Sequence, residues 1–211
     1  MESFEKPKGF VKNIENIWYH YKYVILISLA ALIMICVGMF QMFSRKKPDV
    51  FIYHASTRGL AIASQESFIG AMKSVAKDYN GDGEVVVDFK EDIYIPNEVK
   101  MNENAMTATE SFNHELAYGE CLIYIMDKSF FNGNKQYMTD LAAVLDEVPD
   151  FAVDGKGILL KDLPGYNKIA GLSDFEEESY ICLRAKKIGM SEDYYADHAD
   201  FFKNLVEFDG N

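Results

Sequence analysis

The stretch YVILISLAALIMICVGMFQMF, Tyr23 to Phe43, carries no charge over 21 residues, and Ser28 and Gln41 are its only strongly polar side chains. As a helix rising 1.5 Å per residue it covers roughly 30 Å, the thickness of a hydrocarbon core. Backbone in lipid must satisfy its own hydrogen bonds, and one helix is the single-segment way to do so. The sequence therefore divides into a short tail (1–22), a transmembrane helix (23–43), a basic linker (44–48) and a domain (49–211). A cleaved signal peptide is the rival reading. Its apolar region is shorter and ends at a small-residue site, whereas Gln41-Met42-Phe43-Ser44-Arg45-Lys46-Lys47 offers none. The expectation is an uncleaved single-pass anchor.

Charge leaves its orientation open. Lys6, Lys8, Lys12 and Lys22 precede the span, and Arg45, Lys46 and Lys47 follow it. Within about 15 residues of each end, the count keeps the C-terminal side cytoplasmic; the whole tail tips the other way. Trp18, Tyr19, Tyr21 and Tyr23 form an interfacial belt that carries no sidedness.

Residues 1–48 hold seven Lys/Arg and three Glu, a net of +4. Residues 49–211 hold fourteen Lys/Arg and thirty Asp/Glu, a net of −16; together they give the chain's −12. Such an acidic domain repels nucleic-acid phosphates and anionic headgroups, which argues against both as partners. The bilayer that receives the span, and a membrane or surface protein, remain. The domain is long enough for one core and rich in aromatics. Three cysteines make no disulfide framework. Cys36 lies in the span, and Cys121 and Cys182 sit in expected strands, where buried free thiols are the favoured reading.

Strands and helices alternate along the domain. Strands are expected at 50–54, 84–89, 121–126 and 180–184, with an edge strand at 157–160. Helices are expected at 64–79, 105–118 and 137–148, and a last one follows Ser191 as N-cap. The fold class is α/β: one sandwich domain with a mostly parallel or mixed sheet.

The order strand, helix, Asp78-Tyr-Asn-Gly-Asp-Gly83 turn, Val-rich strand, then helix into HELAYGECLIYIMDKSFF (114–131) resembles bacterial extracytoplasmic solute-binding proteins. The closing YICLRAKKIGMSEDYYADHADFFKNLVEF (180–208) is similar to their last strand and helix, and NIWYHYKYVILI (16–27) to the tails of small single-pass proteins with shortened domains of that kind. The likeness covers most of 49–211 through short motifs, at about half the length of a two-lobed binding protein. It implies the fold and an extracytoplasmic domain rather than a ligand.

Asp78, Asn80, Asp82 and Gly83 match positions 1, 3, 5 and 6 of a calcium loop, with Gly83 at the sharp turn and Glu84 following as a further candidate ligand. The match then fails, because Val86 and Phe89 stand where later ligands belong. A bare helix-to-strand turn is favoured over weak Ca²⁺ binding. His54 ends the first strand, so a site at the carboxyl edge of the sheet could draw on His54, Ser56, Thr57, Arg58 and Asp127. No nucleophile elbow, phosphate loop, dinucleotide fingerprint or His-x-x-x-His spacing occurs. Two classes of function follow. One is a non-enzymatic binding module meeting a ligand or partner at that edge. The other is an accessory subunit packing through the small residues Ser28, Ala30, Ala31 and Gly38.

Overall fold

A computed structural model describes residues 8–43, 46–93 and 103–210. The tail through Pro7, and Ser44 and Arg45 of the linker, lie outside the described residues. The chain divides into two units, Met1–Lys46 and Lys47–Asn211.

The first unit is one helix, α1 (Lys8–Phe43). Within it Trp18–Phe40 is long and apolar enough to cross a membrane, a property shared by membrane anchors and signal sequences. Leu26, Leu29, Leu32, Ile33 and Phe40 are exposed.

The second unit is an α/β domain on a mixed six-stranded sheet. Its elements are β1 (Val50–Ser56), α2 (Ile62–Val75), β2 (Val87–Ile93), α3 (Glu103–Tyr118), β3 (Ile123–Asp127), α4 (Lys128–Asn134), β4 (Ala152–Val153), β5 (Gly157–Leu159), β6 (Ser179–Leu183) and α5 (Glu192–Glu207). The sheet order is β2-β1-β3-β6-β5-β4. β1 runs parallel to both β2 and β3, and β6 runs antiparallel to β3 and β5. β1, β3 and β6 are near-continuous apolar runs because both their faces are covered. From β1 the chain winds outward to β2, then returns past β1 to β3. Right-handed crossovers in opposite directions place their helices on opposite faces. So Phe68 and Met72 of α2 join Ile52, Ile125, Phe201 and Phe202 in one core. Phe112 and Leu116 of α3 join Tyr53, Tyr124, Phe131 and Cys182 in the other.

Several boundaries differ from the sequence expectation. α2 ends at Val75 rather than Tyr79, because Ala76 turns extended and the Asp49 carboxylate takes the N–H groups of Tyr79 (2.9 Å) and Asn80 (3.0 Å). The same carboxylate accepts from Val86 N, so β2 starts at Val87, three residues later than expected. The expected helix over 137–148 is replaced by two 3-10 turns, Lys135–Tyr137 and Leu141–Ala143. Met138 bridges to Arg184, and Thr139 N bonds Leu183 O, so this segment is drawn out alongside β6. Leu141 and Leu145 still reach the core. Ser191 holds the N-cap position of α5 without a side-chain capping bond. Cys121 and Cys182 are buried free thiols; Tyr124, not Cys121, stands opposite Cys182.

Candidate functional site

The loops after β1 and β3 leave toward opposite faces, and a crevice at such a switch point is where open α/β sheets bind ligands. His54 lies near the end of β1, in register with Glu91 of β2 and Ile125 of β3. It is 0 % exposed. Its Nδ1 lies 2.8 Å from Glu91 Oε1, and its ring stacks on Phe89 and meets Phe175 edge-on. With a carboxylate as its partner, Nδ1 carries the proton. Nε2 is buried with no partner among the described residues. Glu91 also accepts from Leu60 N (2.8 Å) and Gln65 Nε2 (2.9 Å). Burial pushes its carboxyl upward, but the bonds from His54, Leu60 and Gln65 outweigh this and hold it below the ordinary carboxylate value.

Asp127 ends β3 and caps α4, its Oδ1 accepting from Phe130 N at 2.9 Å. Its Oδ2 accepts from Thr57 N at 3.1 Å, which ties the two loops of the switch point together. Thr57 Oγ1 donates to Glu176 Oε1 at 2.9 Å, adding the segment before β6. Ser56 is buried and its Oγ donates to Arg58 O at 2.6 Å. Arg58 is exposed. Of the five residues expected here, Thr57 and Asp127 touch, His54 and Ser56 are enclosed, and Arg58 alone is exposed. The edge thus presents a surface held from beneath by fixed carboxylates. An Ile62–Ile93 pair of exposed apolar side chains lies at the same end.

Sequence reasoning missed Glu91, Gln65 and Glu176. Glu91 could have been found as an acidic residue interrupting the strand VDFKEDI. Glu176 was hidden in the run Glu176-Glu177-Glu178, which reads as a solvated loop. Glu177 and Glu178 do form exposed ion pairs, with Lys161 and Lys128.

The calcium-like loop lies at the opposite edge, ahead of β2. Asp78 accepts from the N–H groups of Gly81, Asp82 and Gly83. Asn80 Oδ1 accepts from Asp82 N, and Asp82 Oδ1 from Glu84 N. These oxygens close consecutive Asx turns, and Gly81 and Gly83 take the positive φ values such turns demand (74° and 87°). Among the described residues, no group of three His, Cys, Asp or Glu is assembled to hold a metal.

No family model matches the chain, and no curated protein or solved structure matches it.

Proposed function

We propose that residues 49–211 are a non-enzymatic binding module, tethered outside the cytoplasm by the 23–43 span, whose ligand or partner meets the carboxyl edge of β1 and β3. The observation that carries this reading is the Thr57–Asp127–Glu176 tie across the switch point. It ties two diverging loops and a third segment together next to exposed Arg58, and a preordered surface loses little freedom on binding. Binding rather than catalysis is favoured because Asp127 already spends both oxygens on backbone amides and His54 is sealed from solvent. A general acid or base must reach a proton on its substrate. The resemblance to solute-binding domains supports the extracytoplasmic location.

Two experiments test this. Protease added to intact cells should digest the C-terminal domain while cytoplasmic controls survive; protection until permeabilisation puts the domain inside and ends the reading. A photo-crosslinker placed at Arg58 should then trap a discrete adduct that Thr57→Ala weakens. An adduct pattern no different from a crosslinker at Lys73, on exposed α2 surface, would remove the carboxyl edge as the binding surface.

A further inference from the structure

The opposite rim of the sheet is where β1 begins, and register fixes what else lies there. Val50 stands beside Val87, Ile52 beside Ile123, and Ile123 beside Leu183. The turn before β3 and the segment after β6 therefore emerge on the same rim as Val50. Lys187 Nζ donates to Gly119 O at 2.6 Å, Tyr194 OH to Glu120 O at 2.7 Å, and Ala185 N to Tyr137 O at 2.9 Å. Outside α1, the large apolar side chains exposed among the described residues are Ile62, Ile93, Tyr118, Tyr137 and Ile188, and three of these five share this rim. Ile188 is fully exposed, at the tip of a loop that turns through Gly189 at φ 85°. Between it and Tyr118 lies an open depression of about 410 Å³, floored by Gly119 and Met190.

The chain itself indicates what covers this surface. Phe43 ends α1 and Val50 starts β1, so seven peptide steps join them, at most roughly 25 Å when extended. A chain anchored through 23–43 carries the start of β1 within that reach of lipid. One Ile and two Tyr side chains bind a bilayer weakly on their own. A tether this short supplies a high effective concentration, so weak contacts suffice. Aromatic side chains suit the headgroup level, where one end is apolar and the other wet. Of the cations after β6, Lys186 is engaged with Glu192 and Lys187 with Gly119 O. Lys47 ahead of β1 is exposed, but a zwitterionic surface carries no net charge to attract it, so the attraction proposed for this rim is apolar.

We propose that the rim formed by Tyr118, Tyr137 and Ile188 rests in the lipid–water interface of a zwitterionic membrane, leaving the carboxyl edge facing away from lipid. This rests on the anchor reading. The test uses the full chain with Cys36→Ser, reconstituted in phosphatidylcholine vesicles, carrying an environment-sensitive fluorophore at Ile188→Cys or, separately, at Arg58→Cys. Cys121 and Cys182 are buried and take no label in the folded chain. With headgroup-region spin-labelled lipid, the label at 188 should lose most of its emission and the label at 58 should keep it, in low and high salt alike. A chain that floats with the vesicles but shows equal quenching at both positions overturns the rim contact alone. Quenching at 188 that vanishes in high salt also overturns it, since the contact is then electrostatic. A chain that does not float overturns the anchor and the rim contact together.

Discussion

Asp49 is the residue on which the domain's first turn depends. It is 4 % exposed, yet its carboxylate accepts three backbone amides, from Tyr79, Asn80 and Val86. Each amide stripped of its acceptor costs on the order of 1–3 kcal/mol when buried, and less where water can enter. Asp49→Ala should therefore cost about 3 kcal/mol in chemical denaturation of the full chain in detergent. Asp49→Asn keeps one acceptor oxygen and should cost about half as much. His198 makes a second residue-scale case. It is enclosed; Nδ1–H donates to Tyr194 O, and Nε2 accepts from Phe51 N, so the fold holds the neutral ring. Burial pushes its pKa down to about 4, against the smaller upward effect of the Tyr194 bond. The unfolded chain takes up its proton near pH 6.5, before the folded chain does. Stability is thus fully present above about pH 6.5 and is lost as pH falls toward 4, by about 3 kcal/mol in total. Denaturation at pH 7 and pH 4.5 should show a steeper loss in the native chain than in His198→Gln. Parallel losses in the two would show that other groups carry the acid sensitivity.

At the scale of elements, α4 shows how seven residues can hold a sheet face. Phe131 stacks on Tyr180 of β6 at 4.4 Å with ring planes 8° apart, and it packs over Gly157 of β5. A Cβ on Gly157 would stand 2.7 Å from the Phe131 ring and 2.8 Å from Cys182 Sγ. Removing the ring leaves a void that a sheet cannot collapse into, so Phe131→Ala should cost about 3–5 kcal/mol, read as a lowered denaturation midpoint. Gly157→Ala should also destabilise, by overpacking the same contact. A midpoint unchanged in both variants would mean that α4 does not cover this face. α4 also marks where the sequence stopped being legible. Its residues Lys128–Asn134 have no helical apolar stripe, and the helix exists because Asp127 caps it and Phe131 is buried. The spacing of Leu141, Val144 and Leu145 reads as a helix, but those side chains are placed by turns, since the preceding residues pair with β6. By contrast, β3 and β6 were legible as unbroken apolar runs, and α5 as a stripe of Tyr195, Ala199, Phe202 and Val206. The candidate site was legible in part. Asp127 and Thr57 announced themselves by their place at strand ends, whereas Glu91 reaches His54 from 37 residues away and Glu176 reaches Thr57 from 119. An acid inside a strand can be noticed, but the partner it meets at that separation leaves no mark in local periodicity.

The largest property of the whole molecule is a +4 segment of 48 residues joined to a −16 domain of 163. The apolar stretch between them makes a quantitative prediction. Eleven Val, Ile, Leu and Phe residues lie in Tyr23–Phe43. At roughly −0.3 to −0.6 kcal/mol each they favour insertion by about 5 kcal/mol, and one Arg at the centre costs about 3. Ile33→Arg should therefore weaken but not abolish membrane insertion. Adding Leu32→Arg removes a second favourable residue and brings the Arg cost to about 6 kcal/mol, which exceeds what the remaining nine supply. The double variant should come off membranes in alkaline carbonate, while the native chain and Ile33→Arg stay with the pellet. The native chain also separates anchor from signal sequence. An anchor keeps the mature N-terminus ahead of Tyr23 and the domain resistant to alkali. A mature N-terminus beyond Phe43, with the native domain itself extracted, would identify the stretch as a cleaved signal, and the tether on which both the module and its lipid-facing rim depend would be gone.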